Sequence, residues 1–121
     1  MREWTPLTLN TILYCRHWKE TVTFYRDKLG LPVLFSREGF AEFGIGDNAR
    51  ISIADEARSK TKSPDRKGIT LTFQVRDIDG TRALFNQRGL NPTPVSHHPW
   101  GAKVFYLSDP DGHRVEIWTP A

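Results

Sequence analysis

The sequence predicts an α+β fold made of two copies of one βαβββ module, and three observations carry that prediction. An internal repeat comes first: Arg16 matches Arg76, Thr21 matches Thr81, Phe24-Tyr25 matches Leu84-Phe85, and Asn10 falls opposite Thr70, all sixty residues apart. Next, Arg50-Ile51-Ser52-Ile53 matches Arg114-Val115-Glu116-Ile117 at a spacing of sixty-four, each segment following a turn of Gly and Asp, GDN in one and DPDG in the other. Finally, Ile69, Leu71, Phe73 and Val75 alternate with Thr70, Thr72 and Gln74, the period of a strand with one apolar face. A repeat of this length marks a duplicated supersecondary unit whose copies bury apolar surface against each other.

The elements follow in order. Leu9 to Cys15 is rich in β-formers and is expected as a half-buried strand. Trp18, Val22, Tyr25 and Leu29 recur at helical spacing, with Gly30 as the stop and Pro32 beyond it. Strands are expected near Val33 to Ser36, Phe40 to Ile45 and Arg50 to Ala54, the last two joined by the tight Gly46-Asp47-Asn48 turn. Residues 55–67 are nearly all charged or small and include Pro64, and are expected to be a solvated linker. The second copy repeats the order. It has a strand at Ile69 to Val75, a helix at Ile78 to Arg88 with Asp77 as N-cap, and strands near Thr93 to His97, Lys103 to Leu107 and His113 to Trp118. Gly30 and Gly89 end the two helices after a one-residue slip in the repeat.

Pleat parity assigns faces. The apolar side of each strand meets the helix, and the other side is the candidate binding surface. That surface takes Asn10, Ile12 and Tyr14 from the first strand, Arg50 and Ser52 from the fourth, Thr70, Thr72 and Gln74 from the fifth, and Arg114, Glu116 and Trp118 from the last. The repeat relates Asn10 to Thr70 and Ser52 to Glu116. If the two sheets curl around a common hollow, these four side chains converge.

Composition narrows the function classes. With 121 residues and 38% hydrophobic content, residues 1–121 are expected to form one compact domain with modules at about 8–54 and 68–118. A net charge of +3, with 17 basic and 14 acidic side chains and no basic stripe interleaved with aromatics in one element, argues against a nucleic-acid partner. No apolar run is long enough for a signal peptide or a membrane span, so a cytoplasmic protein is expected. The single Cys15 excludes a disulfide framework and is expected to be a buried thiol. His17, His97, His98 and His113 are all expected at the surface, with His97-His98 as a candidate rim element of the binding surface, only one of them facing it.

Three stretches carry a family resemblance: TVTFYRDKLGLPV (Thr21 to Val33), FQVRDIDGTRALFNQRGL (Phe73 to Leu90) and PWGAKVFYLSDPDGHRVEIW (Pro99 to Trp118). The last is the most specific, joining a Pro-Trp-Gly turn, a strand, Asp-Pro-Asp-Gly and a strand with a central Glu. On these residues the chain resembles the vicinal-oxygen-chelate superfamily, the group of glyoxalase, bleomycin-resistance, fosfomycin-resistance and extradiol-dioxygenase proteins. The resemblance implies two βαβββ modules forming a cup-shaped sheet around a small-molecule ligand, in a homodimer. It also implies a metal site, with His on the first strand, His on the fifth, Glu on the eighth and in some members a ligand on the fourth. Those positions here hold Asn10, Thr70, Glu116 and Ser52. Only the glutamate is a strong donor, and neutral amide and hydroxyl oxygens are poor substitutes for imidazole, so no metal cofactor is expected. A weak divalent site is conceivable only for a hard ion such as Mg²⁺ on Asn10, Glu116 and waters.

Glu116 can bind a cationic or hydrogen-bonding ligand group, or act as a general base, or simply pair with Arg114 or Arg50 on an exposed sheet. Tyr14 and Trp118 on the candidate surface, and Trp100 in the Pro-Trp-Gly turn, can stack on a planar or cationic ligand, or pack in a core or interface. Trp18 and Tyr25 belong to the helical stripe and are expected in the core. Two functions remain open: a metal-free small-molecule-binding protein of the bleomycin-resistance type, using Asn10, Tyr14, Ser52, Thr70, Trp100, Glu116 and Trp118, or a lyase, isomerase or dioxygenase of the superfamily with an altered metal site or with Glu116 as base.

Overall fold

A computed structural model describes Leu7 and residues 9–58, 69–99 and 101–121. Two compact units lie on either side of the undescribed segment 59–68, and each is a βαβββ module.

Unit 1 runs β1 (Leu9–Cys15), α1 (Trp18–Thr23), a π-helical turn (Phe24–Lys28), β2 (Val33–Arg37), β3 (Phe40–Ile45) and β4 (Ala49–Asp55), closing with a 3-10 turn at Glu56–Arg58. Its sheet has the order β1-β4-β3-β2, with β1 parallel to β4 and the other pairs antiparallel. Unit 2 repeats the plan with β5 (Thr70–Gln74), α2 (Ile78–Gln87), β6 (Ser96–His98), β7 (Ala102–Ser108) and β8 (Arg114–Pro120), in the order β5-β8-β7-β6. The parallel pair in each unit needs a crossover, which the helix and the two following strands supply.

The first helix departs from its uniform 3.6-residue expectation. Leu29 N donates to Phe24 O, a bond over five residues that defines the π turn. Such a turn inserts one residue into a helix. Copy one has one residue more than copy two between the matched aromatic pairs and the stopping glycines Gly30 and Gly89, and the π turn absorbs it. The extra residue leaves Phe24 and Tyr25 both buried, with their rings edge to face at 5.0 Å. Tyr25 also meets Phe43 at 6.3 Å, which fixes the helix side of the sheet as the face carrying Phe43, Ile51 and Leu13. Trp18 is half-buried, and its indole N–H donates to Ile53 O at 2.8 Å.

In unit 2, Asp77 caps α2 as expected, its carboxylate accepting from Gly80 N. Phe85 on the helix meets Phe105 on β7 edge to face at 5.9 Å, and Phe105, Ile117 and Phe73 lie in one cross-strand row. That row is the apolar side expected from alternation, so Thr70, Thr72 and Glu116 occupy the other face. Cys15 is buried, as expected.

Four expectations are corrected. The strand expected from Thr93 forms only at Ser96–His98, because Pro92 and Pro94 lack the N–H a ladder requires. Thr93 itself is tied to β7 by its N–H to Tyr106 O and by its hydroxyl, which accepts from Tyr106 N. Residues 55–58 do not belong to the expected linker, since Asp55 ends β4 and Glu56–Arg58 form the 3-10 turn; the rest of it, 59–67, lies outside the described residues. His113 is not at the surface but 1% exposed. The Asp-Pro-Asp-Gly turn folds back on itself so that Asp109 Oδ1 accepts from Asp111 N and His113 N, while Asp109 Oδ2 lies 2.8 Å from His113 Nδ1. Gly112, at φ +92°, makes the left-handed step that closes this loop. A buried imidazole is tolerable here because the buried carboxylate satisfies it. His98 is also not fully exposed; it is half-buried beside Tyr106.

Candidate functional site

The faces turned away from the helices carry the polar chemistry, and they differ between units. On the unit 1 sheet, Asn10 Oδ1 accepts from Ser52 Oγ at 2.9 Å, and Arg50 Nη1 lies 3.0 Å from Glu42 Oε2. The register explains both pairs. Asn10 stands beside Arg50 and Glu42 beside Ser52, so the four form one patch on adjacent strands. Ser52 is fully buried and half-exposed neighbours surround it.

On the unit 2 sheet the equivalent positions hold different groups. Thr70 stands beside Arg114, and Thr72 beside Glu116, which in turn faces Tyr106 on β7. Arg114 Nε donates to Thr70 Oγ1 at 3.1 Å, and Thr72 Oγ1 donates to Glu116 Oε1 at 2.6 Å. The Arg114 guanidinium sits 5.1 Å over the Tyr106 ring, and the Tyr106 hydroxyl lies 3.3 Å from His98 Nε2. Partial burial first, and then the hydrogen bond and negative charge of Glu116, hold the Tyr106 phenol above its ordinary value of 10.0. The module's carboxylate has thus moved between copies: it stands on β3 in unit 1, as Glu42, and on β8 in unit 2, as Glu116.

The sheets therefore bring Asn10 together with Ser52, and Thr70 into the same patch as Glu116, each pair within its own unit. Trp118 is half-buried on β8, two residues beyond Glu116 on the same face, and Tyr14 is half-buried on β1. Trp100 lies outside the described residues. Sequence reasoning missed Glu42 and Tyr106 as members of these patches, and raised His98 only as a candidate rim element. Parity along β3 and β7 would have found the first two, because each faces a residue already assigned.

As metal donors, these side chains form a weak set. Asn10, Ser52 and Thr70 offer neutral oxygens, and the first two already bond each other. A guanidinium 3.1 Å from the Thr70 hydroxyl places positive charge at the position where the resembling enzymes hold an imidazole. At these positions neither sheet by itself offers the three or four strong donors that a first-row divalent ion requires.

The sequence profile of the Glyoxalase/Bleomycin resistance protein/Dioxygenase superfamily matches residues 8–117. The chain belongs to this superfamily. Its similarity extends to the uncharacterized protein YraH of Bacillus subtilis, 28% identical over 119 residues, covering 88% of this chain and 92% of the relative. Among solved superfamily folds, it resembles a glyoxalase/bleomycin resistance protein/dioxygenase from Nocardioides at 20% identity, with a TM-score of 0.80 over 99% of this chain and 86% of that one. It also resembles a lactoylglutathione lyase from Agrobacterium tumefaciens at 20% identity, with a TM-score of 0.77 over 98% and 96%. At these identities the likeness to the two solved structures shows the fold alone. Among the described residues no helix is long and apolar enough to cross a membrane.

Proposed function

We propose that this superfamily member binds a small molecule without using a metal, and that Glu116 is the charge partner of a cationic or hydrogen-bonding group on a planar ligand. One observation carries the proposal: at the four positions where the resembling enzymes hold metal, this chain has three neutral oxygens, already engaged within their own sheets, and one carboxylate. A single carboxylate flanked by hydroxyl donors and aromatic rings suits a ligand cation better than a transition metal. Trp118, Tyr14 and Trp100 are the proposed stacking surfaces, and Asn10, Ser52, Thr70 and Glu116 are the other proposed ligand-binding residues of a single domain. The protein is further proposed to act in the cytoplasm as a homodimer, with no nucleic-acid or membrane partner. Sedimentation is expected at twice 13.9 kDa, and a monomer at micromolar concentration would contradict the dimer.

Glu116→Gln tests the role of the carboxylate. Titration with the cationic probe 2-naphthylmethylammonium by calorimetry should show binding weaker by about 1 to 3 kcal/mol in the variant, the range for a hydrogen bond to a charged group. In the same variant the Tyr106 phenol should titrate closer to its ordinary value, because removing the negative charge removes one cause of its upward displacement. Unchanged probe affinity would remove Glu116 from the site.

One observation favours an enzymatic role for the same residues. The Tyr106 hydroxyl contacts His98 and bonds Glu116, so a proton taken by Glu116 has a short path away from it. That role requires a bound compound to leave chemically changed, which spectra of recovered candidate ligands would show.

A further inference from the structure

The unit 1 sheet contains a second recognition element on a different part of the chain from Glu116. Tyr14, Ala54, Phe40 and Arg37 lie in one cross-strand row, each in register with the next, across β1, β4, β3 and β2. Pleat parity puts this row on the face that carries Asn10, Ser52 and Glu42. A methyl group between two aromatic rings leaves a gap: Tyr14 and Ala54 help line a hollow of about 400 Å³, together with Phe40 and Arg37. Strands two apart in a sheet are separated by roughly 9.5 Å. A ring standing midway over Ala54 then lies within the roughly 4.5 to 7 Å at which aromatic rings attract, on both sides at once.

Charge decides what kind of ring fits. Two arginines and two carboxylates, Glu38 and Asp55, border the hollow. Arg58 is bridged to Glu38 at 3.3 Å and approaches Asp55 at 3.8 Å, so its charge is offset locally. Arg37 instead lies 5.5 Å over the Phe40 ring and, among the described residues, meets no acidic side chain. An exposed guanidinium stacked on one wall of an aromatic slot has its donors available for a planar anion.

We propose that Tyr14, Phe40 and Ala54 form a slot for a planar aromatic anion, such as an aromatic carboxylate, with Arg37 as its counter-charge. The slot shares Tyr14 with the stacking surfaces proposed above, but its charge partner is Arg37 and it does not depend on Glu116.

Titrating isotope-labelled protein with 2-naphthoate and, separately, with neutral 2-naphthamide tests it. Naphthoate should bind saturably, with the largest resonance shifts at Tyr14, Phe40 and Ala54. It should bind at least about threefold more tightly than the amide, the scale of one exposed ion pair. Arg37→Gln, an exposed position, should remove that difference and leave the amide affinity unchanged. Ala54→Leu should abolish binding of both probes by filling the floor. If Ala54→Leu fails to fold, the Arg37 comparison decides alone. Glu116→Gln should not alter naphthoate affinity. Equal affinity for acid and amide in the wild-type protein, an unaltered preference in Arg37→Gln, shifts confined to β5 to β8, or loss of naphthoate binding in Glu116→Gln would each overturn the proposal.

Discussion

Replacing Asp109 by alanine is expected to destabilise the protein by about 3 to 5 kcal/mol, the cost of leaving several buried donors without their acceptor. Asp109 is buried and accepts from two backbone N–H groups, those of Asp111 and His113, while its second oxygen holds the His113 imidazole. Alanine leaves all three donors without that acceptor in a site water barely reaches. The Asp109→Asn variant keeps one acceptor oxygen for the two backbone groups, so a smaller loss is expected. Chemical denaturation of the three proteins measures both differences. A loss below about 1 kcal/mol for the alanine variant would mean that the turn does not depend on this pair.

That turn also shows where sequence reasoning stopped. Asp-Pro-Asp-Gly was legible as a hairpin connection, and Gly112 has the positive φ such a connection uses. What the pattern could not show is that the turn's first aspartate bends inward to cap its own loop and draws His113 into the interior. A histidine following a hairpin glycine is ordinarily solvated; burial here comes from a side-chain partner four residues back, which composition does not announce.

The fold was more legible than the site because it rests on repeated patterns. Alternation in the fifth strand placed Thr70 and Thr72 opposite Leu71 and Phe73, and the observed register of β5 with β8 agrees. The matched aromatics located both helices. Even the one-residue slip before Gly30 was visible, although its physical form, a π turn, was not, because an added residue can equally lengthen a loop. Site residues on β3 and β7 were missed for a different reason. Glu42 and Tyr106 occupy equivalent positions but are different residue types, so the repeat gives no signal there.

The second large effect concerns metal affinity. Changing Asn10 and Thr70 together to histidine would supply two imidazoles to accompany Glu116, a set that suits Zn²⁺ and its first-row neighbours. The doubly substituted protein is expected to retain close to one Zn²⁺ per chain after dialysis, while the wild-type protein retains none, as elemental analysis would show. Metal uptake also requires that Arg114 swing away from position 70, where it now donates to the threonine hydroxyl. Uptake should therefore improve further in Arg114→Ala, since a guanidinium beside the ion opposes it. A metal-free double variant in both backgrounds would contradict the assignment of positions 10, 70 and 116 to the metal-holding positions of the resembling enzymes.

In the proposed function, ligand binding needs a carboxylate and aromatic surfaces but no metal. Its most direct test is a calorimetric titration of the wild-type protein with 2-naphthylmethylammonium, performed before and after exhaustive treatment with a chelator. The same affinity and stoichiometry are expected in both titrations. Binding that disappears in chelator and returns with one equivalent of a single divalent ion would contradict it.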